Sequence, residues 1–403
     1  MLPERVDQGV RISHDVNECS RAPIRVMHYM GTNFGMTGVE TFILQLCAGQ
    51  KRAGLVPAIA IDLHNREEVR TIATAHGVEV YDLSAPTPID GEAGGTLAKL
   101  WSRLRRTQFL WQLLRHSHVI HIHAVGISCL DGIVAGGLSR NKALIVTHHA
   151  TLSWFASHRN WISDVTFWIE KHVASRVVMP YAAAITELVA HGIPAVRTRV
   201  IPFCVDETLF SGLARKPAPG ELTLVMSARM FRGKGHMELL AALARLSPRY
   251  PKLRAVFVGD GPTRPDIEAE IDRLALRHIV ECKGRVDHRK VPAIMRSAHA
   301  VVLPSYMEGE MFPLCLMEGM ALGLPAIGTR LSGIPEIVVD GETGILVEPR
   351  DEIGLASAIE RFLIDPAFYT HARKNALARA KSRYSSAVVV RAYSEQYEAA
   401  LRE

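Results

Sequence analysis

Residues 300–350 read AVVLPSYMEGEMFPLCLMEGMALGLPAIGTRLSGIPEIVVDGETGILVEPR. Ala300–Leu303 is a short apolar run ended by Pro304, which suits a buried parallel strand. A polar loop follows, Ser305 to Met311, and then Pro313 opens an apolar segment that runs to Leu322 and is closed by Gly323 and Pro325. Proline at the first helical position and glycine just past the last one bracket a helix. Pro325–Ile327 begins the next strand. Strand, helix and strand in succession are the repeating unit of a parallel α/β sheet.

Within this stretch Glu310 and Glu318 stand eight positions apart. On one continuous helix they would sit roughly 80° apart. Glu310 precedes Pro313, so it belongs to the loop, while Glu318 lies one to two turns into the helix. Both can then face a cleft at the carboxyl end of the strand, where open α/β sheets bind ligands. The helix N-terminus beside them offers free N–H groups and partial positive charge, suited to a phosphate. A solvated loop Glu and a solvated helix-face Glu is the plainer reading of the pair. Against it, Leu314, Leu316, Met317 and Met320 surround Glu318.

The totals bound the class. A chain of 403 residues is long enough for two α/β domains. A hydrophobic content of 48% with 22% charged residues is that of an ordinary globular protein. The formal charge of +6 favours anionic ligands or a lipid surface and is too weak to argue for nucleic acid. The first two dozen residues carry no apolar core of a secretory signal, and no apolar run approaches a spanning helix. Cys19, Cys47, Cys129, Cys204, Cys282 and Cys315 are scattered without C-x-x-C spacing, as reduced thiols in a cytosolic protein are.

Taken in order, residues 1–23 form a disordered lead-in and Ile24–Tyr29 a first strand. The turn Gly31-Thr-Asn-Phe-Gly35-Met-Thr-Gly38 then opens a helix from Val39 to about Ala53. A glycine-rich strand-to-helix turn can approach a phosphate closely, although this one is not G-x-G-x-x-G. Strand and helix alternate through Val56–Ile61, Glu67–His76 and Val78–Tyr81 to a Pro- and Gly-rich loop at Ser84–Gly95. Leu97–His116 sets Trp101 and Trp111 among Arg103, Arg105, Arg106 and Arg115. It is either an ordinary helix with a solvated basic face or one that meets an anionic membrane surface. Val119–His123 places His121 and His123 on one strand face. With no carboxylate or cysteine beside them, they read as core or cleft-lining residues rather than metal ligands. Ala143–His148 ends in Thr147-His148-His149, at the end of a strand that faces the cleft. The aromatics Trp154, Phe155, Trp161, Phe167 and Trp168 are core packing or an acceptor or lipid surface.

The second half restarts the alternation. Leu222–Ser227 is a strand, and Arg229-Met-Phe-Arg-Gly-Lys234-Gly235 turns into the helix His236–Leu246. Arginine as a fork and lysine as a point charge on such a turn can hold a diphosphate. Ala255–Val258 leads into Gly259-Asp-Gly-Pro262, and Ile279–Gly284 into Arg285. Ser386–Leu401 is an amphipathic helix with Val389, Tyr393 and Tyr397 along one face.

The run E-x-F-P-L-x-L-x-E-x-M-A-x-G-x-P from Glu310, followed by Ser332-Gly-Ile-Pro-Glu336 and D-G-x-T-G-x-L-V from Asp340, resembles the donor-site signature of family 4 glycosyltransferases of the group 1 type. The R-x-x-x-x-K-G spacing from Arg229 and the hinge-like Ile201-Pro-Phe-Cys-Val-Asp206 match as well, with Cys204 where the family usually has glycine. The Gly-rich turn keeps only the second glycine of the family's pair, at Gly38.

The resemblance implies a GT-B fold: two Rossmann-like, doubly wound parallel-sheet domains facing across a cleft. The first spans 24–200, the second 201–385, and the C-terminal helix over 386–403 crosses back to the first. It implies a retaining transferase that takes a sugar from a nucleotide-diphosphate donor. Glu310 and His149 would lie at the reacting sugar. Arg229, Lys234, Glu318, Gly38, Gly259, Arg285, Phe312, Pro313 and Leu314 would bind the donor, with Glu318 on the ribose. No D-x-D occurs, so no metal or other cofactor is expected. The acceptor would be a carbohydrate or a lipid-linked hydroxyl, in cell-surface polysaccharide or glycolipid assembly, with the enzyme cytoplasmic and peripheral to the inner membrane face. A sugar-nucleotide epimerase on the same fold, or a non-catalytic nucleotide-binding partner subunit, are the alternatives.

Overall fold

The computed structural model describes residues 22–30, 38–62, 67–83, 107–124, 130–139, 143–151 and 161–403. The lead-in up to residue 21, the turn over 31–37, the stretch 84–106 with Trp101, Arg103, Arg105 and Arg106, and Trp154 and Phe155 lie outside them. Two sheets organise the rest. In the first, β1 (Arg25–Met30), β2 (Val56–Ile61), β3 (Glu79–Asp82), β4 (Val119–Ala124), β5 (Ala143–His148), β6 (Arg176–Met179) and β7 (Thr198–Val200) lie in the order β3-β2-β1-β4-β5-β6-β7. In the second, β8 (Leu222–Ser227), β9 (Leu253–Val258), β10 (Val280–Gly284), β11 (Ala300–Leu303), β12 (Ala326–Thr329) and β13 (Gly344–Val347) lie in the order β10-β9-β8-β11-β12-β13.

All pairings are parallel. The central strands β4, β5, β11 and β12 are buried along their whole length, which suits the mostly apolar residues that write them, His121 and His123 of β4 and Thr147 and His148 of β5 being buried polar exceptions. Each order reverses once, between β1 and β4 and between β8 and β11, so the crevices open beyond Met30 and Ala124 in one sheet and beyond Ser227 and Leu303 in the other.

The helix after β11 runs Leu314–Ala321, and Pro313 is its N-cap, with ψ of 119°, rather than its first helical residue. The expected start was one residue early because a tertiary contact holds the loop extended: Gly333 N donates to Met311 O at 3.0 Å. The far end is as expected. Gly323 takes φ of +76°, and the amides of Gly323 and Leu324 turn back to Met320 O and Gly319 O.

The chain crosses between sheets twice, and the crossings touch. Val205 N donates to Tyr384 O at 2.7 Å and Val205 bridges Ser385. From there the helix Ser386–Arg402 packs on the helix Gly38–Arg52 and on β5, burying Tyr393 and Tyr397. Glu403 closes it with a two-bond pair to Arg176, at 2.9 and 2.6 Å. The C-terminal helix thus completes the first domain. Other contacts join the domains as well. Glu336 Oε1 accepts from Ala182 N at 2.7 Å, capping the first-domain helix Ala182–Ala190, whose own N-cap Tyr181 makes no side-chain bond. Arg285 pairs with Glu68 at 2.9 Å.

Candidate active site

The turn after β8 and the loop after β11 meet in the second-domain crevice. Met230 N donates to Asp260 O and Ala228 N to Val258 O, pressing the β8 and β9 turns together. Gly259 makes that approach possible, because a β-carbon there would lie 2.1 Å from Ala228 O and its φ is +138°. Tyr306 N and Ser305 Oγ both donate to Gly233 O, strapping the β11 loop to the same turn.

The strapping brings Lys234 Nζ to 2.9 Å from Glu310 Oε2. The Lys234 side chain is only 17% exposed and that of Glu310 only 7%. Lys234 is therefore held in a mostly buried ion pair rather than standing free on the turn. Arg229 is exposed, its guanidinium 5.6 Å from the Phe231 ring centre.

Glu318 is buried on the helix Leu314–Ala321, with Oε1 2.9 Å from His288 Nε2. His288 stands in the short turn His288–Lys290 that follows Arg285. Burial pulls the His288 imidazole down, but the carboxylate of Glu318, backed by Asp287 and Asp206, outweighs it and raises the group above its ordinary value. No spacing signal marks His288 in the sequence. Arg285 itself is not brought to this pair; it reaches Glu68 across the cleft. Phe312 is buried edge-on to Phe203 and Tyr384, at the point where the two crossings meet. Gly38, which begins the first helix, faces the start of the second-domain helix: a β-carbon there would lie 3.9 Å from Leu314 Cδ1.

His149 stacks on Phe203 at 5.0 Å between ring centres and lies near Phe42. Two residues on, Thr151 Oγ1 donates to the carbonyl of Glu308 in the loop that carries Glu310. His149 is thus the member of the His148-His149 pair at the domain junction, while His148 turns into the first domain to meet buried Glu170 at 3.1 Å.

Behind His149 lies a buried polar chain that the sequence only half discloses. His121 and His123 share a strand face as expected, their rings 4.3 Å apart. The fold adds His28 beside them, so that ligating atoms of the three come within 4.8 Å of one another. The ring nitrogens are already engaged: His28 with His123 and Gln50, His121 with Tyr397 and Thr147, and His123 also with His149. In this arrangement the ring nitrogens of the three histidines make hydrogen bonds within the fold.

Two family models account for nearly all of the two-sheet body. Glycosyltransferase Family 4 matches residues 36–209, and Glycosyl transferases group 1 matches 214–379. The chain belongs to the family 4, group 1 glycosyltransferases. This glycosyltransferase is 26% identical to the glycogen synthase of Mycobacterium tuberculosis over 94% of this chain and 91% of that one.

Two solved structures share that fold. Anabaena HepE in complex with UDP-glucose superposes with a TM-score of 0.75 at 20% identity, over 93% of this chain and 99% of that one. The sucrose-phosphate synthase of Thermosynechococcus elongatus gives 0.70 at 19%, over 93% and 98%. The architecture is therefore GT-B. No helix among the glycosyltransferase's described residues is long and apolar enough to cross a membrane.

Proposed function

We propose that this glycosyltransferase moves a sugar from a nucleotide-diphosphate donor to an acceptor hydroxyl with retention at the anomeric carbon. The observation that carries the reading is the meeting of Lys234 with Glu310 in the second-domain crevice, one helix away from buried Glu318. Arg229, Lys234 and the amides at the start of Leu314–Ala321 would take the diphosphate, so charge on the leaving group is met without a metal ion. Glu318, held by His288, would accept from the ribose. HepE, solved with UDP-glucose on the same fold, supports this class of donor.

Glu310 beside an ammonium is a poor nucleophile and a good hydrogen-bond acceptor, which suits holding the donor sugar. The acceptor oxygen would then attack from the face the diphosphate leaves. The new C–O bond forms as the C–O bond to phosphate breaks, and a phosphate oxygen takes the hydroxyl proton. Incubation with a panel of nucleotide sugars, with and without chelator, tests the reading. Slow donor hydrolysis undiminished by chelator is expected, and strict dependence on a divalent ion would remove the metal-free assignment.

For the acceptor we propose a carbohydrate or lipid-linked hydroxyl, presented at the inner membrane face during polysaccharide or glycolipid assembly. Support comes from the helix over 107–114 and its end, where Phe109 and Trp111 are exposed and the Arg115 guanidinium lies 5.0 Å from the Trp111 ring centre. Co-sedimentation with anionic and neutral vesicles checks it, and equal pelleting with both would count against it.

A further inference from the structure

The polar chain behind His149 has a direction. His149 Nε2 lies 3.0 Å from His123 Nδ1, His123 Nε2 lies 2.9 Å from His28 Nδ1, and His28 Nε2 lies 2.8 Å from Gln50 Oε1. On the other side, Gln50 Nε2 donates to Tyr397 OH at 3.1 Å, and that hydroxyl lies 2.8 Å from His121 Nδ1. Burial lowers His28 to about 4 and His149 to about 3, and holds His121 and His123 well below the usual range, so the rings are neutral at physiological pH.

A neutral imidazole has one N–H and one lone pair. Each ring-to-ring link could therefore run either way, but fixing one fixes its neighbours. Gln50 supplies the fixed end, because a carboxamide oxygen can only accept. His28 must carry its proton on Nε2, leaving Nδ1 to accept from His123 Nε2–H. His123 Nδ1 must likewise accept from His149 Nε2–H. Nδ1 of His149 is left bare. That atom is buried and has no hydrogen-bond partner among the described residues, and its ring lies at the domain junction.

We propose that Gln50 is a positioning residue. Its carboxamide, acting through His28 and His123, sets the tautomer of His149 and presents a bare Nδ1 that accepts from a hydroxyl of the bound sugar. A bare nitrogen suits a sugar O–H and repels a phosphate oxygen, so the device also helps to seat the donor in one orientation. The effect on turnover rests on His149 facing the sugar, as proposed above; the tautomer does not.

The test uses the full-length protein with 15N-labelled histidine and no substrate. Two-bond proton–nitrogen correlation distinguishes protonated from bare ring nitrogens, and the His149 signals are assigned by their loss in H149Q. In the wild type, His28, His123 and His149 are expected as single Nε2–H forms. His149 protonated on Nδ1, or a mixture of tautomers, would overturn the inference without any Gln50 variant. Gln50→Leu should give mixed tautomers at His149 and cut kcat about tenfold, the size of one lost hydrogen bond, with KM for the nucleotide sugar within about twofold. Gln50→Glu keeps an oxygen facing His28 and should retain both the tautomer and most of the turnover. A mixed tautomer with unchanged kcat would overturn the positioning role. It would leave the Lys234–Glu310 site, probed separately by Glu310→Gln, untouched.

Discussion

Lys234 and Glu310, 76 positions apart in the chain, form a 2.9 Å ion pair inside the second-domain crevice. Each neutralises the other before any donor arrives. A diphosphate would compete for the ammonium while the sugar hydroxyls turn to the carboxylate, so the pair is set to open on binding. Lys234→Met should lower turnover on the order of 10²–10³-fold. It should also destabilise the fold by about 1–3 kcal/mol, because the Glu310 carboxylate is left mostly buried without its partner. Turnover assays and urea denaturation check both. A variant with more than about a tenth of wild-type rate would remove Lys234 from the diphosphate.

The two glutamates should separate kinetically. Glu318→Gln should weaken nucleotide affinity by roughly 1.5–3 kcal/mol, the range for a hydrogen bond to a charged group. Glu310→Gln should mainly reduce turnover. Isothermal titration with nucleoside diphosphate, set beside donor turnover, reads the difference, and equal small effects on both would remove the pair from the donor site.

The His288–Glu318 pair gives a pH signature. His288 is raised in the folded state, so its stabilisation is fully present below the unfolded imidazole value of about 6.5 and is lost as pH rises through the higher folded value. The melting-temperature gap between wild type and His288→Gln should therefore be larger near pH 6 than at about pH 8.5. A gap that widens toward alkaline pH would contradict the pairing.

The buried chain of His28, His121, His123 and His149 has the opposite sign. These groups are lowered in the fold, so the unfolded chain binds more protons below about pH 6.5 and stability falls as pH drops toward the folded values of about 4 and 3. Each contributes up to about 1.4 kcal/mol per pH unit in that window. Urea midpoints at pH 7, 6 and 5 should report an uptake of about five protons on unfolding near pH 5.5, about 0.9 from each of these four and from His236 and His299, which burial also lowers to about 4; an uptake of about two would mean that the chain is open to water.

Glu336 tests the contact between domains. Glu336→Ala removes the cap on Ala182–Ala190, with an expected cost of about 0.5–2 kcal/mol. Faster amide exchange at Ala182 and Ala183 should accompany it. Unchanged exchange would show that the first-domain helix does not depend on the second domain.

Several elements were readable to the residue. Val56–Ile61, Ala143–His148, Leu222–Ser227 and His236–Leu246 stand where the apolar runs and their punctuation put them. Parallel strands buried on both faces leave little choice of register or residue type. Pro313 was misread by one position because the contact of Met311 with Gly333 is tertiary, and helix brackets are local.

The site shows the same division. Glu310 and Glu318 share one motif and can be found from its spacing. His288 and Gln50 carry no period, and polar residues isolated in the sequence become legible only when the fold sets them against Glu318 and His28. Arg285 sits where its loop predicts, yet its guanidinium spans the cleft to Glu68, because a long exposed side chain takes whatever charge faces it.

The return of the C-terminal helix to the first sheet has a consequence for synthesis. Domains tend to fold as they emerge from the ribosome, N-terminal first. This chain's first domain cannot finish on that schedule. Tyr397 supplies the hydroxyl that Gln50 and His121 need, and Glu403 supplies the carboxylate that meets Arg176. Until the codons for Tyr397 and Glu403 are read, the first half is a nascent intermediate with its polar centre unsealed. Loss of the helix from Tyr397 onward would therefore be felt at His149, far from that break in sequence and linked to it through Gln50 and His28.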